Sequence, residues 1–254
     1  MSETLAVLIF AHVLADFVFQ TTWMVTHKRN PLILLAHTGV VLVTAGVCLG
    51  SLNPALLLLA VLHFALDAAK TWAGLTGIGA YLGDQALHLV SLIAIAIWQP
   101  DLWASGFWMG GVEGGFFSGI LGGETPLATQ VPSVMALFAG LIVATRAGGF
   151  AVGFLMEPWS DAMKGGLPGG GRLIGNLERA LVFLMLLTGQ ASSIGFLIAA
   201  KSVLRFTAVK DERKFSEYVI IGTLASFAWA ISVASLTIVA LRYLPGIEIP
   251  DLTP

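Results

Sequence analysis

The chain has 254 residues, 57% hydrophobic and only 11% charged, with a mean hydropathy of +0.88. Soluble domains run at about 45–50% apolar and about 25% charged residues, so this balance excludes a water-soluble globule, and disorder needs the opposite bias. The net charge of −2 leaves no basic excess for nucleic acid, and a lone Cys48 excludes an internal disulfide and any cysteine-based zinc cluster.

A membrane-crossing helix needs about 20 mostly apolar residues. Runs of that kind predict spans at about 4–25, 31–50, 54–73 and 78–98. The first carries Glu3 where a signal peptide has its basic region, and its apolar stretch holds His12 and Asp16, so it is read as a span that stays in the membrane. The Gly- and aromatic-rich stretch 101–128, with Glu113 and Glu124, reads as interfacial or extramembrane. Further spans are predicted at about 130–156, 173–189, 191–206 and 216–242. The Gly-rich run 163–172 lacks the Gly-Lys-Ser/Thr ending of a phosphate-binding loop and reads as a linker. Gly189 and Gly195 flank Gln190 in an interrupted apolar region, the mark of a re-entrant hairpin or of a tight turn.

The predicted fold is therefore an all-α, polytopic transmembrane helix bundle of seven or eight spans. It divides into a polar-cored membrane domain (1–100), the interfacial segment (101–128) and a second helical half with a basic face (129–254). When connecting segments are assigned alternately to the two sides, twelve of the 13 Lys and Arg residues fall on one side and only Arg242 on the other. The positive-inside bias makes the basic side cytoplasmic and places both termini in the periplasm for an eight-span chain.

The first four spans hold more ionisable groups than spans normally do. His12 and Asp16, His63 and Asp67, and Asp84 and His88 are all spaced i, i+4, which puts each pair on one helix face, a turn apart. His37, Gln20, Gln85 and Lys70 join them. Each Asp at a helix centre costs about 2.5–3.5 kcal/mol on insertion scales, so such residues generally serve a function. At about 1.5 Å rise per residue, all seven His and Asp groups fall roughly 9–20 Å from the cytoplasmic ends of their spans, one level from four helices. A divalent cation is the simplest group that lets carboxylates and neutral imidazoles meet in a low dielectric. The ligand candidates are His12, Asp16, His37, His63, Asp67 and His88. Zn fits them first, and Mn or Fe also fit. Seven donors exceed one tetrahedral zinc, so they suit two metals, or one metal with Asp84 as general base. Gln20 and Gln85 are placed to orient an imidazole or a bound water. Structural hydrogen bonding across helices is the plainer alternative. His27, in a loop, reads as solvated.

The second half carries Arg179, Lys201 and Arg205. The last two are i, i+4 and could clamp a phosphate, pair with Glu178 and Glu217, or snorkel to lipid headgroups. With Lys70, these are the candidates for holding an anionic substrate group.

The stretches Ala11–Met24, His63–Lys70 and Asp84–His88 resemble an uncharacterised bacterial membrane family, domain of unknown function 3307. Glu178–Phe183, Gly195–Phe206 and Glu217–Leu224 are similar to the carboxyl-terminal part of its longer members. The family pattern often carries a second His four residues after His37, where this chain has Val41. The resemblance implies a multi-pass protein of the bacterial inner membrane and supports the choice of site residues, without an activity. Separately, two His-x-x-x-Asp pairs on two helices are similar to the two-His, two-Asp site of cation-diffusion-facilitator zinc transporters. The leading expectation is a metal-dependent hydrolase acting on a membrane lipid or lipid-linked phosphate at the cytoplasmic leaflet. A divalent-metal or metal-coupled transporter and a non-catalytic membrane partner or assembly factor are the alternatives.

Overall fold

A computed structural model describes residues 1–109, 126–162, 169–206 and 213–247. Among the described residues every regular element is helical. The chain forms two compact units, Met1–Ala139 with Ala240–Ile247, and Gly140–Val239.

The first unit begins with α1 (Ser2–Leu14), which runs into a single π-helical turn, Ala15–Phe19. The turn is closed by Gln20 N–H donating to the Ala15 carbonyl at 3.0 Å, and Gln20 leaves it in an extended conformation. The expected continuous span 4–25 therefore breaks at Gln20, and the short helix α2 (Thr22–His27) follows, capped by Thr21, whose hydroxyl accepts from Met24 N–H at 3.2 Å. Asn30 caps α3 (Pro31–Leu49), with Pro31 pre-set in the first turn. Gly50, at φ 60°, ends it in the left-handed conformation that glycine adopts without strain. Next come α4 (Ala55–Trp72) and α5 (Gly77–Trp98).

Short connections make α3, α4 and α5 alternate in direction. They close with α1 into a four-helix ring in which α1 and α4 each pack on α3 and α5. One half of the ring axis is apolar: Leu8, Leu49, Leu56, Leu59, Leu92 and Trp103 are all buried there. The chain beyond α5 folds back on that end. Trp108 Nε1 donates to the Val47 carbonyl at 2.6 Å and Phe107 N–H to the Gly50 carbonyl at 2.7 Å, serving acceptors that the end of α3 leaves open. The other half of the axis holds the His and Asp residues. The outer faces are apolar, with Leu35 58%, Val43 64%, Val61 63% and Val90 60% exposed. Buried charge behind exposed aliphatic side chains inverts the arrangement of a soluble domain and suits surrounding lipid.

The second unit contains the last residues of α6 (Pro126–Ile142), a second π turn at Val143–Ala147, α7 (Gly148–Met156), a 3-10 turn, α8 (Gly170–Leu187), α9 (Ala191–Phe206) and α10 (Arg213–Leu241). A side chain on Gly148 would meet the Trp229 indole at 2.6 Å, so small residues let α10 approach closely. Gly189, at φ 71°, turns the chain between α8 and α9, so the interruption around Gln190 is a tight turn.

Among the described residues, six helical stretches are long and apolar enough to cross a membrane: Ser2–Phe19, Pro31–Leu49, Ala55–Trp72, Gly77–Trp98, Thr129–Ser160 and Ser216–Leu241. The two other expected spans exist as helices but do not reach that standard. Arg172, Glu178 and Arg179 interrupt the apolar face of α8, and the apolar part of α9, Ala191–Val203, is shorter. Most of the stretch 101–128 lies outside the described residues.

Thr4 ties the start of α1 to the chain after α5. Its hydroxyl donates to the Pro100 carbonyl at 2.6 Å and accepts from Trp103 N–H at 3.3 Å, fully buried. Thr4→Val keeps the shape and orphans both backbone groups, so it should destabilise the first unit by about 1–3 kcal/mol. Thermal unfolding in detergent checks this, and an unchanged midpoint contradicts it.

Candidate metal centre

Each helix of the ring brings its ionisable residues to the same end. His12 precedes the π turn of α1 and Asp16 sits inside it, at a widened turn of the kind that recurs at functional sites. His37 lies in the second turn of α3, His63 at the middle and Asp67 in the last half of α4, and Asp84 in the first half and His88 at the middle of α5. Alternating directions make these one level, as the depth reading predicts. His37, His63, Asp67 and His88 are only 0–2% exposed.

Four atoms meet at the centre: Asp16 Oδ1, His37 Nε2, His63 Nε2 and Asp67 Oδ2. The two nitrogens are 3.1 Å apart. His37 Nε2 lies 3.3 Å from Asp16 and 3.6 Å from Asp67, and His63 Nε2 lies 3.6 Å from each. Good N–H···O hydrogen bonds have heavy-atom distances of about 2.7–3.2 Å, and Asp16 Oδ1 is buried without a hydrogen bond. Metal–ligand lengths of about 2.0–2.1 Å, by contrast, place tetrahedral donors about 3.3–3.4 Å apart. The donors are thus spaced as the ligands of one small cation, and a group of His37, His63 and Asp67 could hold one.

The other groups surround this centre. His12 Nε2 is 3.8 Å from Asp16 Oδ2. His88 Nε2 is 3.5 Å from Asp84 Oδ1 and 3.9 Å from Asp67 Oδ1. The His63 and His88 rings stack with centroids 4.2 Å apart. Gln85 Nε2 donates to Asp84 Oδ2 at 3.3 Å. Gln20 lies just past the π turn, half-buried, with its side-chain nitrogen buried and without a hydrogen bond.

Two ammonium groups offset the carboxylates. Lys70 Nζ donates to Asp84 Oδ2 at 2.8 Å, and Lys28 Nζ to Asp67 Oδ2 at 2.7 Å. Sequence reasoning missed Lys28. The break at Gln20 turns α2 so that the residue after it reaches back to α4, and a continuous helix would have carried Lys28 away. Tyr81 was missed as well: it is buried one turn before Asp84, within electrostatic range of Asp16 and Asp84. Its i, i+3 spacing to Asp84 was the available signal. His27 is exposed and stacks on Trp23, with centroids 5.0 Å apart.

Two of the basic candidates of the second unit, Arg179 and Lys201, are engaged within that unit. Arg179 is buried, and its Nε and Nη2 both donate to the Thr145 carbonyl, at 3.3 and 3.0 Å. Its Nη1 donates to Ser226 Oγ at 3.0 Å and its Nη2 to Asn176 Oδ1 at 2.7 Å. Thr145 lies in the π turn, where the altered helical pattern leaves its carbonyl to the guanidinium. Gly149 and Gly175 keep the space, since a side chain on either would come within 3.1–3.3 Å of that group. Lys201 pairs with Glu178 at 2.6 Å, the ion pair named as one option for it, and its Nζ sits 5.8 Å from the centre of the Phe227 ring. The Arg205 side chain lies outside the described ones.

The described residues are thus all-helical, with membrane-length apolar helices and a buried His/Asp cluster able to hold a metal ion. Residues 4–108, which contain the whole cluster, match the family described as Protein of unknown function (DUF3307), the family that the motifs at 11–24, 63–70 and 84–88 resemble. No curated protein and no solved structure matches the chain.

Arg179→Lys loses the planar fork that serves Thr145, Asn176 and Ser226 together. It should destabilise the second unit by about 2–4 kcal/mol, given about 1.5–3 kcal/mol for a hydrogen bond to a charged group. Limited proteolysis should show faster cleavage within 140–239; an unchanged cleavage rate contradicts it.

Proposed function

We propose that this is a multi-pass protein of the bacterial inner membrane whose N-terminal bundle binds a divalent cation and hydrolyses a lipid or polyprenyl phosphoester at the cytoplasmic leaflet. The observation that carries the metal reading is the convergence of Asp16, His37, His63 and Asp67 at ligand–ligand spacing. Zn suits this donor set best, with Mn and Fe behind it.

Hydrolysis is favoured over carriage by what fills the bundle axis. Leu8, Leu49, Leu56, Leu59 and Leu92 close the half beyond the cluster, so polar groups lead to the centre from one end only, whereas a carrier needs access from both. That end carries Lys28 and Lys70, partly exposed at 15% and 31% of their side chains, and the positive-inside bias makes it cytoplasmic. Its depth suits a substrate whose tail lies in the inner leaflet. The cation would supply Lewis acidity and a more acidic water. The two lysines hold the phosphate, Gln20 and Gln85 orient the water or an imidazole, and Asp84 accepts a proton. Water oxygen adds to phosphorus, the bond from phosphorus to the lipid oxygen breaks, and the proton ends on that oxygen.

One observation favours the carrier as second reading: two His and two Asp already complete a tetrahedron, and a closed set leaves no position for a reacting group.

Elemental analysis of the protein purified in detergent, with phosphate release from labelled lipid in proteoliposomes, tests the proposal. Wild type should carry at least one equivalent of metal and release phosphate. His63→Ala and Asp67→Asn, checked for native helicity, should lose both by a factor of ten or more. A metal-free wild type after reloading with Zn or Mn contradicts the metal reading, and metal retained in both variants removes these residues as ligands. Metal binding with cation uptake and no phosphate release replaces hydrolysis by carriage.

A further inference from the structure

The two oxygens of Asp67 face different donor sets. Oδ2 lies 3.6 Å from both His37 and His63 Nε2. Oδ1 lies on the other side, 3.9 Å from His88 Nε2, which is itself 3.5 Å from Asp84 Oδ1. Asp67, Asp84 and His88 thus form a second group able to hold a cation. His88 is 1% exposed, and its Nε2 points into that group without a hydrogen bond, a costly state for a buried polar atom unless something else serves it.

We infer that the centre binds two divalent cations bridged by the Asp67 carboxylate, one held by Asp16, His37 and His63 and the other by Asp84 and His88. This rests on the metal reading above and deepens it. A carboxylate offering one oxygen to each cation suits the separation of about 3.5–4 Å found in two-metal hydrolytic sites. The second group supplies three protein ligands and leaves coordination positions open, which the closed first set does not. Asp84 ligates through Oδ1, and Oδ2, on the Lys70 side, remains for proton transfer.

Charge supplies the second half of the inference. With neutral imidazoles, three carboxylates and two ammonium groups sum to −1. Lys28 and Lys70 each sit within 2.8 Å of an oxygen of a ligand carboxylate. Two divalent cations bring +4 against −3, so the lysines are then repelled and leave those oxygens. Both reach the end of the bundle, where a phosphate dianion of the substrate takes them up. The lysines hold the carboxylates until the cations arrive and bind substrate afterwards.

Manganese is the probe. The full-length chain, stripped of metal in detergent, is titrated with Mn(II) and followed by electron paramagnetic resonance. The expected result is two equivalents bound per chain, with the six-line spectrum of isolated Mn(II) giving way to an exchange-coupled one as the second enters. His88→Ala, or His88→Gln should the alanine variant lose its helicity, should bind one equivalent and keep six lines. Lys28→Met should bind Mn about tenfold more tightly, because a competing cation is gone. One equivalent in wild type overturns the two-cation centre and leaves the single-metal reading standing; no Mn and no Zn overturns both. Two uncoupled ions overturn the bridge, and unchanged or weaker binding by Lys28→Met overturns the displacement of the lysines.

Discussion

Three carboxylates buried in a bundle of membrane-length apolar helices must find positive charge within a few ångströms, because nothing in an apolar interior solvates them. That constraint organises the first unit. It brings four imidazoles to Asp16, Asp67 and Asp84, draws Lys28 and Lys70 in from the bundle end, and keeps all of them on one half of the axis. The apolar half then packs as an ordinary bundle core. The spacing of the central atoms adds a second requirement: the imidazole–carboxylate distances of 3.3–3.6 Å are longer than good hydrogen bonds and close to the separation of the ligands of a small cation, while the two central nitrogens lie within hydrogen-bond reach of each other at 3.1 Å.

The backbone departs from regular α-helix where this cluster is built. The π turn at Ala15–Phe19 contains Asp16, and the extended Gln20 after it redirects the chain so that Lys28 returns to Asp67. The second unit uses a π turn differently. There Val143–Ala147 presents the Thr145 carbonyl to Arg179, and a buried guanidinium links the π turn to α8 and α10 through neutral acceptors. One charge is arranged around a centre that could bind and react; the other is spent on holding helices together.

Much of the first unit was legible because its signals are periodic. The i, i+4 pairs follow from helix geometry alone, and counting rise per residue placed His12, His37, His63 and His88 at one level. The bend in the first span was not legible, since Gln20-Thr21-Thr22-Trp23-Met24 contains no Gly or Pro and its three polar residues suit the interfacial end of a continuous helix as well as a break. The long-range partner of Lys28 depended on that bend. In the second half, the pairing of Lys201 with Glu178 was among the readings the residues allowed. The role of Arg179 depended on a carbonyl freed by backbone geometry, which composition does not reveal. The count of membrane-length helices also differed from the count of apolar runs, because three charges in α8 lower the hydropathy of an otherwise complete helix.

The claim on which the rest depends is that Asp16, His37, His63 and Asp67 surround a metal ion. X-ray absorption at the K-edge of the bound metal, on the protein purified from membranes and reloaded with zinc, reads the ligands directly. The account predicts nitrogen and oxygen neighbours at about 2.0–2.1 Å, with outer-shell scattering from at least two imidazoles that weakens in His37→Ala. Zinc with no imidazole scattering, or a spectrum that His37→Ala leaves unchanged, would contradict it.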